Sequence, residues 1–371
     1  MSSKKVLFTA TVVKTHINTF HLPFLKMFKE AGWEVHVAAK NDFVDEPCVI
    51  PNCDKYYDID FDRFPFSRRN FHAYRKLQKI ILENKYDIVH CHTPVAGVLT
   101  RLAARLCNNT KVIYTAHGFH FFKGAPLINW LIYYPVERFC ARYTDKLITI
   151  NKEDYRKAEQ FKLRNNGKVY YIPGVGMDIN KIKNVNIDIN EKKKELGIPE
   201  DIPVILSVGE LNENKNHEVV IKALDKIKEQ EFIYIIAGRG KLEDYLNSLI
   251  KEKCLTEKVR LLGYRKDIVE LLKVADLFVF PSLREGLPVA VMEAMAAGLP
   301  IIASNVRGNR DLLCNNDLFD PCDIHKLMKL IKSKLNIIGN GEKIKVNYSN
   351  MDNYSLDNVL KQMVEIYGEE N

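Results

Sequence analysis

Short apolar runs alternate along this chain with longer stretches whose apolar positions recur at the spacing of a helix face. A run that is apolar at nearly every position suits a strand covered on both sides, as in a parallel sheet. In the first half such runs predict strands at Val6–Val12, Glu34–Ala39, Ile88–Cys91, Val112–Thr115, Lys146–Ile150 and Val169–Ile172. A second series follows at Val204–Val208, Phe232–Ala237, Val259–Leu262, Leu277–Phe280 and Ile301–Ala303. Between the two series lies a polar stretch broken by Gly174, Gly176 and several prolines, which reads as a domain connection. Domains are therefore expected at residues 1–175 and 176–352. Strand–helix alternation predicts an α/β protein of two doubly wound domains facing one another across a cleft, with ligands at the carboxyl ends of the strands. At the end of the chain, Leu356, Val359, Leu360, Met363 and Tyr367 form one stripe of a helix within 353–371.

Bulk properties narrow the picture only slightly. A chain of 371 residues, 46% hydrophobic and 27% charged, has room for two cores of ordinary globular character. No apolar run approaches the roughly 20 residues needed to cross a bilayer. The start, MSSKKVLFTATVVKTH, resembles a signal peptide but is broken by Lys14, so a buried first strand and a cytoplasmic protein are expected. Eight scattered cysteines show no paired metal-knuckle spacing and read as reduced thiols. The net charge of +8 is concentrated between Arg63 and Lys79, where Arg68, Arg69, Arg75 and Lys76 mix with Phe64, Phe66, Phe71 and Tyr74. No nucleic-acid-binding motif accompanies them, so an anionic membrane surface is the expected partner. A plain solvated helix face remains the alternative.

The strongest chemical signal is PSLREGLPVAVMEAMAAGLPIIAS, which carries Glu285 and Glu293. Glu285 follows the apolar run that ends at Phe280, and Glu293 is expected two turns into a helix beginning near Leu287. Eight residues at helical pitch leave the two positions roughly 80° apart. A helix start attracts phosphate, and flanking carboxylates accept hydrogen bonds from hydroxyls. Gly286, Leu287 and Pro288 form the turn, with glycine for close backbone approach and proline for the helix start. Together they point to a sugar joined to a nucleoside through a diphosphate. An ordinary helix cap and a solvated glutamate are the bland alternative.

This string resembles the retaining glycosyltransferases of the GT-B fold, in the large family-four group, and the resemblance extends over nearly the whole chain. The segments Thr115–Glu137 and Val208–His217 look like the bacterial capsule and exopolysaccharide members. The resemblance implies two Rossmann-like domains, an acceptor-side one first and a nucleotide-sugar-binding one second, with the final helix packing back on the first. It further implies that Glu285 binds the donor sugar and Glu293 the ribose. His117, in a TAHG context after the Val112 strand, becomes the catalytic candidate of the first domain. Lys215 follows Gly209 at a strand-to-helix turn, where a lysine neutralises a diphosphate. Relatives commonly place an arginine directly after that glycine. Here Glu210 stands instead, and Arg239 or Arg307 is the expected substitute. Tyr264 and Arg265 fall where relatives seat the nucleobase. His16 falls where they have a glycine-rich loop, though this chain lacks the glycines.

Aromatics beside lysine at Phe121, Phe122, Lys123 and Trp130 are expected at the acceptor or membrane surface. Asp58, Asp60 and Asp62 imitate a metal-binding DxDxD, but they are expected outside a strand-and-loop setting, and no metal or other cofactor is expected. The implied function is transfer of a hexose or N-acetylhexosamine, UDP-linked, to a lipid-diphosphate-linked saccharide at the inner membrane face. A UDP-sugar epimerase of the same architecture and a non-catalytic nucleotide-sugar-binding subunit remain the rivals.

Overall fold

The computed structural model describes residues 3–342, 344, 346, 348 and 351–369. The chain divides into two compact units, Met1–Val175 with Val359–Asn371, and Gly176–Asn358.

The first unit is built on seven parallel strands: β1 (Lys5–Val12), β2 (Glu34–Lys40), β3 (Lys55–Asp58), β4 (Ile88–His92), β5 (Lys111–Ala116), β6 (Lys146–Thr149) and β7 (Lys168–Tyr171). Their order is β3-β2-β1-β4-β5-β6-β7, so the winding reverses between β1 and β4. Val6 stands level with Val35 on one side and Ile88 on the other, which gives the central strands apolar neighbours on both edges. Helix Leu356–Gly368 lays Val359, Met363, Ile366 and Tyr367 into the core formed with Phe8, Val37 and Ile113. Lys146 Nζ donates to the Ile366 and Glu369 carbonyls at 2.6 and 2.7 Å, so a buried cation closes the negative end of that helix.

The second unit has six parallel strands: β8 (Val204–Val208), β9 (Ile233–Ala237), β10 (Val259–Gly263), β11 (Leu277–Phe280), β12 (Ile301–Ser304) and β13 (Leu318–Phe319). Their order is β10-β9-β8-β11-β12-β13, and the reversal falls between β8 and β11. In open α/β sheets ligands bind at such a reversal, outside the carboxyl ends of the strands.

Two strands escape the apolar pattern. β3 is an edge strand of sequence KYYD with exposed ends, and β13 has only two residues. Because Asp58 ends β3, the DxDxD aspartates do occupy a strand-and-loop setting, contrary to expectation. They are nonetheless engaged. Asp58 accepts from Asn41 N, Asp60 pairs with Lys40 and Arg69, and Asp62 accepts from Phe64 N. The cysteines are all unpaired thiols.

Candidate functional site

In the second unit the site assembles at the β8/β11 reversal. The loop after β8 is stitched to the loop after β11: Leu283 N donates to Asn214 O at 2.7 Å, and Asn214 Nδ2 to Arg284 O at 3.0 Å. Asn216, left-handed at φ 52°, sends Nδ2 to the carbonyls of Pro281 and Pro321. This stitching delivers Lys215 to Glu285, Nζ to Oε1 2.7 Å, with the ammonium 4.7 Å from the centre of the Phe280 ring. The Lys215 stem crosses Gly209, where a Cβ would stand only 3.2 Å from it.

Glycine is required at three further points for the same reason. A Cβ on Gly238 would meet Gly209 O at 1.8 Å, and one on Gly240 would meet Leu211 O at 2.4 Å, so this GxG packs two loops together. Gly308, at φ 75°, presses on the Gly286 carbonyl. Beside it, the buried Arg307 donates Nε to Glu285 O at 2.9 Å. Arg307 therefore helps hold the Glu285 loop in place. Arg239 is exposed, and its side chain has no hydrogen bond or ion pair among the described residues.

The helix after the loop spans Val289–Ala296, with Pro288 as its cap residue and no side chain capping it. It starts two residues later than expected, so Glu285 lies in the loop and the 80° relation within one helix does not apply. Glu293 is on the helix, half-buried, and its carboxylate has no hydrogen bond or ion pair among the described residues. Burial raises its pKa above the ordinary carboxyl value, with Lys181 opposing. An uncapped helix start, a lysine and an unpartnered acceptor thus share one end of one sheet. His217 opens helix His217–Asp225 after β8, and burial followed by the Lys215 charge lowers its pKa to about 4.

Three other expected donor residues lie on the loops after β8 and β10. Glu210 is exposed after β8, and Tyr264 is exposed after β10. Arg265 is held by Asp267 and Glu195 in a cluster that includes Lys192, a setting that ties helix Ile189–Glu195 to the sheet.

In the first unit His117 directly follows β5, and its Nε2 lies 3.3 Å from His92 Nδ1. His16 sits in a single π-helical turn, Val13–Ile17, after β1, where Lys14 N and Thr15 N donate to Asp42 rather than to open space. His21, which sequence reasoning passed over, stacks on His92 with ring centres 3.8 Å apart. Burial lowers the pKa of all four, to about 3 for His16 and about 4 for His117. They are neutral groups at physiological pH.

A cavity of about 540 Å³ opens beside them, lined by Thr15, His16, Arg63, Phe66, Val98 and Tyr133 among others. Arg68, Arg69, Arg75 and Lys76 are exposed on helix Arg68–Asn84, beside exposed Phe64, Phe66 and Phe71. Phe121 is fully buried in a core with Phe119 and Phe161, so the expectation that it meets a membrane is corrected. Phe122 and Trp130 are half-buried, and Lys123 is exposed. The most exposed apolar groups of this region are instead Leu127 (80%), Leu131 (72%) and Ile128, on helix Leu127–Ala141. No helix among the described residues is long and apolar enough to cross a membrane.

Residues 188–347 match the family model of glycosyl transferases group 1, and residues 5–151 match that of glycosyl transferase 4-like proteins. With two doubly wound units of parallel strands, the chain belongs to the group 1 glycosyltransferases and has the GT-B fold. It is 44% identical over 316 residues to the putative glycosyltransferase EpsD of Bacillus subtilis (strain 168), spanning 84% of this chain and 81% of that relative. It is 36% identical over 244 residues to an Escherichia coli UDP-Gal:alpha-D-GlcNAc-diphosphoundecaprenol alpha-1,3-galactosyltransferase, 64% of this chain and 63% of the relative. Among solved structures, a glycosyltransferase from Rickettsia africae ESF-5 superposes with a TM-score of 0.77 at 19% identity, covering 99% and 98% of the two chains. Anabaena HepE in complex with UDP and glucose gives 0.77 at 20%, covering 98% and 99%.

Proposed function

We propose that this chain is a retaining transferase that moves a hexose or N-acetylhexosamine from a UDP-linked donor to a lipid-diphosphate-linked saccharide in cell-surface polysaccharide synthesis. The observation that carries the donor half is the unpartnered, half-buried Glu293 carboxylate behind an uncapped helix start, beside the Lys215–Glu285 pair. The diphosphate rests against the first N–H groups of helix Val289–Ala296, with Gly286, Leu287 and Pro288 shaping its seat. Lys215 neutralises it, and Arg239 supplies the cation missing at Glu210. Glu285 accepts from the sugar hydroxyls and Glu293 from the ribose.

As the bond from the anomeric carbon to the diphosphate breaks, its electron pair leaves with UDP. The acceptor oxygen bonds the same carbon on the same face, and its proton passes to the departing phosphate oxygen. Helix end and lysine neutralise the leaving group, so no metal is needed at the diphosphate.

The acceptor half rests on the first unit. Its cavity is within the range of small-ligand pockets, and the same unit carries an exposed basic-aromatic helix and exposed leucines on helix Leu127–Ala141. That combination suits peripheral attachment to the inner face of the cell membrane, where a lipid-linked acceptor resides. The Escherichia coli relative, named for a UDP-linked donor and a diphosphoundecaprenol acceptor, supports the same assignment.

The test is incubation with a panel of UDP-sugars, with and without lipid-diphosphate saccharides, and NMR of the product. Acceptor-dependent UDP release with an α-linked product from an α-linked donor is expected. Release of an epimer, an inverted product, or no turnover with any pair contradicts the proposal.

A further inference from the structure

The carboxyl ends of β1, β4 and β5 bring together four histidines whose only ring hydrogen bonds among the described residues are to one another, His16 with His21 and His92 with His117. One ring nitrogen each of His16, His21, His92 and His117 lies within 4.8 Å of one from each of the others. Two of these separations are already short: His21 Nε2 to His16 Nε2 is 3.2 Å, and His117 Nε2 to His92 Nδ1 is 3.3 Å. Four zinc–imidazole bonds of about 2.0–2.1 Å in a tetrahedron set nitrogens roughly 3.4 Å apart. Two of the six separations thus match that spacing before any ion enters, and the others lie within 4.8 Å.

Contrast with the other buried histidines of this unit is informative. His90 uses both nitrogens, on Tyr367 Oη and Thr115 Oγ1, and His36 uses both, on Tyr86 Oη and Glu34. His21 and His92, each 1% exposed, instead leave His21 Nδ1 and His92 Nε2 buried with no hydrogen-bond partner. A half-turn of either ring keeps its packing and offers the other nitrogen.

The backbone is bent to serve this arrangement. His16 rides on a π-helical turn, a rare conformation often found at functional sites. Thr93, directly after His92, is held at φ 62°, which is unusual for a β-branched residue. It is kept there by Thr11, whose hydroxyl meets Thr93 Oγ1 at 2.7 Å and whose N–H donates to it at 3.1 Å.

We propose that His16, His21, His92 and His117 bind one divalent transition-metal ion of the imidazole-preferring class, zinc foremost. This departs from the sequence-based expectations of no metal, of a catalytic His117 and of a donor-side His16, and it does not draw on the Lys215, Glu285 and Glu293 site. Four protein ligands leave no open position, so the ion closes the strand ends rather than activating water. It ties the turn after β1 to the ends of β4 and β5.

The test starts with the full-length protein purified without chelators, its metal content read by mass spectrometry. The chain is then stripped with a chelator and titrated with Co²⁺, the readout being the visible band of four-coordinate cobalt. About one equivalent of Co²⁺ per chain, displaced by Zn²⁺, is expected. His21→Ala and His92→Ala should weaken the affinity at least about 100-fold, and His120→Ala, outside the set, should leave it unchanged. Circular dichroism checks that the variants fold, and the wild-type titration decides alone if they do not. Folded wild-type protein that carries no metal and develops no four-coordinate band overturns the proposal, as does cobalt binding unaffected in folded His92→Ala.

Discussion

At Lys215 and Glu285 two roles meet in one pair of atoms. Without ligand, each neutralises the other at 2.7 Å. With a nucleotide sugar, the ammonium turns to phosphate and the carboxylate to sugar hydroxyls. Lys215→Ala should therefore lower turnover by about 10²–10³-fold, the scale of one lost charge-stabilising donor, read as acceptor-dependent UDP release. Glu293 adds a pH signature. Burial raises its pKa, so UDP affinity that needs the carboxylate should weaken as pH falls through that raised value, and Glu293→Gln should flatten the profile. His217 predicts a separate stability effect. The unfolded chain takes up its proton near pH 6.5, whereas burial delays this to about 4 in the native state. Stability is then flat above pH 6.5 and falls by about 3 kcal/mol between 6.5 and 4, a loss that His217→Asn should remove in thermal melts. Of these residues, Glu285 and Glu293 could be singled out because one local string carries both, and Lys215 because a second segment, Val208–His217, sets it after a strand-ending glycine. The histidine cluster could not. His16, His21, His92 and His117 are scattered along the chain, and only the order of β1, β4 and β5 brings them together.

Helix Leu127–Ala141 is the element whose two faces do opposite things. Its inner face offers Glu137 to the fully buried Arg101 at 2.8 Å, and that guanidinium also stacks 4.0 Å from the centre of the Tyr114 ring. Removing one partner leaves a buried charge, so Glu137→Ala should cost about 3–5 kcal/mol in denaturant unfolding. The outer face presents Leu127 and Leu131 to solvent. Leu127→Glu with Leu131→Glu should change stability by less than about 1 kcal/mol yet reduce binding to anionic vesicles measured by co-sedimentation. Aromatic-rich sequence drew attention to Phe121, but the sheet places that ring in the core and leaves the leucines outside. Helix and strand limits were legible where apolar runs are uninterrupted, as at β8 and β11. They failed at the edge strand β3, which needs little apolar character, and at Pro288, where Arg307 and Gly308 hold Glu285–Leu287 as loop.

For the whole molecule, repeated alternation of apolar strand and helix made the doubly wound architecture readable, since neither sheet has a solvent face to blur the pattern. The reversal points were not readable, because strand order is set by crossover packing rather than by any single strand's residues. Both candidate sites lie at such reversals. The most direct measurement is calorimetric titration of UDP into the wild-type chain and into Glu293→Ala and Lys215→Ala variants, since it needs neither the donor sugar nor the acceptor. One UDP per chain is expected, with affinity falling about 10–100-fold in each variant, the range of one hydrogen bond to a charged group. UDP binding of unchanged strength in both variants, or none by the wild type, would place the nucleotide away from helix Val289–Ala296 and contradict the assignment.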